Sequence, residues 1–133
     1  MEWLDMDQFR GELNKDPEFV IAARFWETSL KIEMGDRRCI LQIQDGEITG
    51  VNPHPGFYDP WKIKIGAPEK DWQQFLETIP RPFYHDLFAA SIHHDFVCEG
   101  DLESFYAYYP AIRRMFEVMR NRTVVKSGQG ESS

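Results

Sequence analysis

The run Asp95-Phe-Val-Cys-Glu-Gly-Asp-Leu-Glu-Ser-Phe-Tyr-Ala-Tyr-Tyr-Pro-Ala-Ile-Arg-Arg-Met-Phe-Glu-Val-Met119 brings a strand, a turn and a helix together in one short span. Residues 94 to 99 read as a strand, Gly100 ends it, and Asp101 supplies the side-chain acceptor that starts a helix. Apolar and aromatic residues then fall at 102, 105, 109, 112, 116 and 119, in steps of three and four, the period of a helix with one buried face. Tyr106, Tyr108 and Met115 widen that face. Pro110 lies inside the pattern. Because proline lacks an amide hydrogen and clashes with the preceding turn, a kink, or a short helix passing into a longer one, is expected there. So broad an apolar surface either closes an over-built core or walls a cavity for an apolar guest.

Upstream of this run the hydrophobic period alternates between two and 3.6. Asp5 with Gln8 resembles a capping box, and Met6, Phe9 and Leu13 repeat at helical spacing. Asp16-Pro17 restarts the pattern with a cap and a proline at the first helical position. It predicts a second helix over about 16–27, with Phe19, Ala22, Ala23 and Trp26 on one face. From Leu30 the period becomes two: Leu30, Ile32 and Met34, then Cys39, Leu41 and Ile43, then 47–51. These strands are separated by Gly35-Asp36 and by Asp45-Gly46, a strong two-residue hairpin signal, and form a meander. The breaker-rich segment 52–60 is a loop, Trp61 to Ile65 is a fourth strand, and Ala67-Pro68-Glu69 opens a helix with Trp72, Phe75, Leu76 and Ile79 on one face. Tyr84 to Ile92 reads as a further turn or two of helix. Residues 123–133 carry no apolar anchor after Val125 and read as a flexible tail.

Composition narrows the function. With 133 residues the chain is the size of one domain. Its 22 acidic and 15 basic residues give a net charge of -7, which repels a polyanion and disfavours nucleic acid as a partner. The basic clusters are Arg37-Arg38 and the group from Arg113 to Arg122, the latter expected in the last turns of a helix, where cations complement the dipole. Cys39 and Cys98 sit in apolar runs and do not make a disulfide framework, which suits a reducing cytoplasm. No apolar segment approaches the ~18 residues of a membrane span, and the acidic start is unlike a secretion signal.

This order of elements resembles the sterol carrier protein type 2 family. The resemblance spans roughly residues 16 to 120: paired N-terminal helices, Leu30-Lys-Ile-Glu-Met, Cys39-Ile-Leu-Gln-Ile-Gln-Asp-Gly-Glu, Trp61-Lys-Ile-Lys-Ile, Asp71-Trp-Gln-Gln-Phe-Leu and the closing Phe96-Val-Cys-Glu-Gly-Asp-Leu. Each motif is weak alone, and their order carries the likeness. It implies a five-stranded, mostly antiparallel sheet with helices on one face. It also implies a hydrophobic tunnel between the two layers, open to fatty acyl chains, sterols or other lipids, with no cofactor. The sequence departs from the family where Ile79-Pro80-Arg81-Pro82 and an aromatic stretch to Ile92 replace a glycine, which should reshape the mouth of any cavity. The end, Gly130-Glu-Ser-Ser, is unlike the peroxisomal address of many eukaryotic members.

Candidates for chemistry are few. His85, His93 and His94 lie beside Asp86 and Asp95, but His93 and His94 in a regular strand would point to opposite faces and could not share a metal. A histidine base at His85 or His94 is conceivable on residue type, yet no serine or cysteine stands in a nucleophile motif. Asp5, Asp16 and Asp101 read as helix caps. Tyr58 and Trp61, beside the proline-rich loop, read as either a packed corner or a docking surface.

The sequence therefore predicts an α+β domain over 1–122, sterol carrier protein type 2-like, with a tail over 123–133. It binds or transfers a hydrophobic small molecule without catalysis, and the expected lining is Trp72, Phe75, Phe83, Leu87, Phe88, Phe96, Phe105, Tyr108, Tyr109, Ile112 and Met115. Trp72 and Tyr108 are the polar-tipped members of that set. No cofactor, metal, nucleic acid or integral membrane segment is expected, and a protein partner or homo-oligomer is left open. The alternatives are a small cofactor-free enzyme or enzyme subunit with a histidine base, and an interaction module with a filled core.

Overall fold

The computed structural model describes residues 6–75 and 96–131, with side chains over 7–73 and 96–120. Two helices, α1 (Met6–Lys15) and α2 (Pro17–Ala22), lead into β1 (Glu27–Met34), β2 (Arg37–Gln44) and β3 (Glu47–Asn52). A loop then delivers β4 (Ile63–Ala67), α3 (Glu69–Phe75), β5 (Val97–Gly100), α4 (Leu102–Ala107) and α5 (Tyr109–Glu131). The strand order is β3-β2-β1-β4-β5, antiparallel throughout except for the parallel β1–β4 pair. The expected architecture, a mostly antiparallel five-stranded sheet with helices on one face, is the one observed.

The meander closes at Asp45-Gly46, whose φ angles of 46° and 80° are those of a tight hairpin turn. Glycine is required there twice over, because a Cβ at Gly46 would lie 2.7 Å from the Val20 carbonyl oxygen as well as on a left-handed backbone. The same turn ends α2 earlier than the expected 27. Asp45 accepts the Phe25 amide through Oδ1 at 2.8 Å and donates its own amide to Trp26 O at 2.9 Å, so those backbone groups are committed to the hairpin. Phe25 adopts φ 72° to make that junction, and β1 begins at Glu27.

Strand β3 is an edge of the sheet, and α1 covers it. Asn14 accepts the Ile48 amide at 2.7 Å and donates to Ile48 O at 3.1 Å, and Arg10 adds a donor to the same carbonyl at 2.9 Å. A polar side chain thus substitutes for a missing neighbour strand. Phe9 and Leu13, from the same helix, enter the core.

At the other end, Asp16 caps α2 by accepting the Phe19 amide at 2.9 Å, and Asp101 caps α4 by accepting the Ser104 amide at 3.1 Å, both as the sequence predicts. The break at Pro110 is also observed, as two helices meeting at Tyr108. Two expectations fail in consequence. The helical phase resets between α4 and α5, so Leu102 and Tyr106 are 41% and 56% exposed rather than part of the buried stripe. And because α5 continues to Glu131, Arg113 and Arg114 lie near its start, not in its last turns, where the dipole argument placed them. The backbone of 123–131, read from composition as a tail, is part of this helix.

Candidate functional site

One face of the sheet, built from Leu30, Ile32 and Met34 of β1 and Ile63 and Ile65 of β4, is buried under the helices. Strand alternation puts these residues on the same side, and the parallel register pairs Leu30 with Ile63 and Ile32 with Ile65, forming a continuous aliphatic floor. Above it, α5 contributes Ile112, Met115, Phe116 and Met119, spaced three and four apart and all buried.

Two aromatic groups complete the wall. Trp72 of α3 stands edge-on to Phe96 with ring centres 4.9 Å apart and lies 5.4 Å from Phe116. Its indole N–H, the only polar atom of the side chain, is donated to Glu33 O at 2.7 Å, so the face turned to the interior is entirely apolar. The second group forms around the α4–α5 junction. Tyr108 stacks on Trp26 at 5.1 Å and 9°, while Phe105 meets Tyr109 at 5.7 Å. Trp26 is held by its own N–H, which donates to Ser104 Oγ at 2.7 Å.

Of the residues named from sequence, Trp72, Phe96, Phe105, Ile112 and Met115 are buried in one core, with Tyr108 and Tyr109 partly buried against it. Phe75 closes α3, and only its backbone is described. Phe83, Leu87 and Phe88 lie outside the described residues, as do His85, His93 and His94. Sequence reasoning left Phe116, Met119 and Trp26 off the wall, although the first two belong to the helical stripe that it had recognised.

The two thiols pack in the same core, Cys39 opposite Ile32 and Cys98 opposite Ile65. Burial pushes the Cys39 thiol up to about 12 and the Cys98 thiol up to about 11, which keeps both protonated and poor nucleophiles at neutral pH. Among the described residues no group of three His, Cys, Asp or Glu side chains is placed to hold a metal ion. No helix among them is long and apolar enough to cross a membrane. The β1–β2 turn and the loop after β3 border an open cleft of about 460 Å³, lined by Asp36, Arg37, Arg38, Pro53, His54 and Pro55. The two residues that sequence set together differ in exposure. Trp61 is half-buried with the Lys64 ammonium 5.4 Å from its ring, and Tyr58 is exposed.

No protein-family model matches the sequence, and no curated protein matches it either. Solved structures do share its fold. A crystal structure of sterol carrier protein 2 superposes with a TM-score of 0.70 at 21% identity, over 86% of this chain and 92% of the other. A conserved hypothetical protein of Thermus thermophilus, named as a possible sterol carrier protein, also gives 0.70, at 20% identity over 91% and 89%. A ubiquinone synthesis protein, UbiJ-SCP2, gives 0.55 at 12% identity over 84% and 89%. At these identities the likeness is one of fold.

Proposed function

We propose that the protein binds a hydrophobic small molecule, a fatty acyl, sterol-like or other lipid, between the sheet and the helices that cover it, and carries it without chemical change. The observation that supports this most directly is the apolar wall of Trp72, Phe96, Phe105, Ile112 and Met115 over an aliphatic floor, in a fold shared with sterol carrier protein 2. Tyr108 and Tyr109 flank that wall and offer hydroxyls to a guest with one polar end. Phe75, Phe83, Leu87 and Phe88 extend the same lining by sequence. Burial keeps both thiols protonated, which makes them poor nucleophiles for an enzymatic alternative.

Organic extraction and native mass spectrometry of the purified protein should recover a bound lipid. A fluorescent fatty acid should bind at micromolar concentration and be displaced by unlabelled ligand. Failure of both would leave the competing reading, a filled interior serving as an interaction module, which the close ring packing around Trp72 favours.

A further inference from the structure

Thr28 places a hydroxyl on the buried face of β1. It lies two positions before Leu30, so strand alternation turns it to the same side as Leu30, Ile32 and Met34. It is 6% exposed, and its Oγ1 has no hydrogen-bond partner among the described residues. The side chains of the sheet around it supply none. Its cross-strand partner is Ile43, and the next residue on its face, Leu30, is flanked by Leu41 and Ile63, all of them buried hydrocarbon. The charged residues of the strand, Glu27, Lys31 and Glu33, fall at odd positions and take the opposite face. Valine has the same shape and no polar atom, so a hydroxyl at this place carries a dehydration penalty that the described residues leave uncompensated.

Along the chain Thr28 stands between an aromatic group and the aliphatic floor. Trp26, whose ring stacks on Tyr108, lies two residues before it, and the floor begins at Leu30, two residues after it. The Trp26 N–H is committed to Ser104 Oγ at 2.7 Å and is not available to the Thr28 hydroxyl. Resting on the carrier reading, we infer that Thr28 Oγ1 is the interior anchor for the polar end of the guest. The chemistry of a single neutral hydroxyl selects that end. It donates one hydrogen bond and accepts others, which matches an alcohol hydroxyl or an ester or ketone carbonyl. It cannot offset the dehydration of a carboxylate, which needs a cation or several donors. The ligand class is therefore a lipid with an uncharged polar end, seated with that end toward Trp26 and its hydrocarbon along the floor of Leu30, Ile32 and Ile65.

Displacement of a fluorescent fatty acid from the full, delipidated chain by dodecanol, dodecane and dodecanoate tests this. The measured quantity is the ratio of variant to wild-type affinity for each competitor, so the competitor's own solubility cancels. Thr28→Val should weaken dodecanol roughly fivefold, the worth of one hydrogen bond, and change dodecane and dodecanoate less than about twofold. Thr28→Ser, which keeps the hydroxyl, should retain the preference for the alcohol. Thr49→Val, which alters an exposed threonine on β3, should leave all three competitors unchanged. Thermal unfolding of the delipidated protein supplies a second check, because removing an unpartnered buried hydroxyl should leave the midpoint of Thr28→Val equal to or above that of the wild type. A lower midpoint would show that the hydroxyl bonds within the protein, and overturns the anchor. So does an unchanged dodecanol ratio, an equal loss for all three competitors, or a loss confined to dodecanoate. If neither probe nor competitor binds the wild type, the carrier reading fails and takes the anchor with it. If they bind and Thr28→Val keeps the wild-type ratios, the anchor alone fails.

Discussion

Asp16 and Arg114, 98 positions apart in sequence, form a two-pronged ion pair: Nε to Oδ2 and Nη2 to Oδ1, each at 2.9 Å. The same Asp16 Oδ2 accepts the Phe19 amide, so one carboxylate starts α2 and ties it to α5. Glu117 accepts from Arg114 at 3.1 Å and steadies the guanidinium from its own helix. Loss of Asp16 removes both a cap and a cross-link, and loss of Arg114 only the cross-link, so Asp16→Ala should cost about 1 kcal/mol for the cap plus roughly 1–3 kcal/mol for the charged hydrogen bonds. A double-mutant cycle with Arg114→Ala, read by urea denaturation, should return a coupling energy of that second size.

The pair also predicts a pH dependence. Hydrogen bonding to Arg114 holds the Asp16 carboxyl below its ordinary value of 3.8, against the opposing effect of burial. A carboxyl with a lowered folded pKa contributes stability that is full above the unfolded value and is lost as pH falls through the folded one. Wild-type stability should therefore fall with acidification below about pH 4 more steeply than that of Asp16→Asn, the two curves converging at the acid end. Denaturation midpoints measured across that range check it, and parallel curves would contradict it.

Asn14 replaces a neighbouring strand for Ile48, and its removal should be felt locally. Asn14→Ala leaves the Ile48 amide without its 2.7 Å acceptor, which should cost about 1–2 kcal/mol. Hydrogen exchange should accelerate at Ile48 more than at core amides of β1. Faster exchange spread evenly over the sheet would point to global destabilisation instead.

Gly100 has φ 103° and faces the Lys62 carbonyl, to which Asp101 donates its amide at 2.8 Å. A methyl group there meets both a strained backbone and the neighbouring strand, so Gly100→Ala should destabilise by about 1–3 kcal/mol. Calorimetry checks the size. The glycine that marks the end of β5 in sequence is thus fixed by sterics at the β4–β5 edge.

Local chemistry was legible in the sequence, and long-range chemistry was not. Asp45-Gly46, Asp16-Pro17 and Gly100-Asp101 announce turns and caps through one or two residues, because backbone angles and capping bonds are local. Pro110 likewise announced the division of α4 from α5. The end of α2 was missed because it is decided by Asp45, a residue in a distant hairpin. Arg114 was assigned to a helix dipole because no pattern reveals a partner at Asp16. At the candidate site, helical spacing found Phe105, Ile112 and Met115. It could not divide the aromatics into a Trp72 group and a Trp26 group, since that division follows from which end of β1 each ring covers. The Arg37, Arg38 and His54 cleft joins a turn to a loop, and only the sheet brings them together.

The proposed carrier reading turns on whether Met115 borders a guest or only protein. Met115 is fully buried on α5, one residue before Phe116, whose ring packs on Trp72. In a filled core a larger side chain at this point forces its neighbours off their rotamers and costs typically 1–3 kcal/mol. Where the neighbouring space holds an exchangeable ligand, the same bulk displaces ligand instead. We expect Met115→Trp to lower the denaturation midpoint little, by less than about 1 kcal/mol, while weakening fluorescent fatty-acid binding at least roughly tenfold, or 1.4 kcal/mol. Met115→Leu, close in volume, should preserve both. The opposite pattern, a large stability loss in Met115→Trp with probe binding unchanged, would remove Met115 from the lining and shift the reading toward a solid interior.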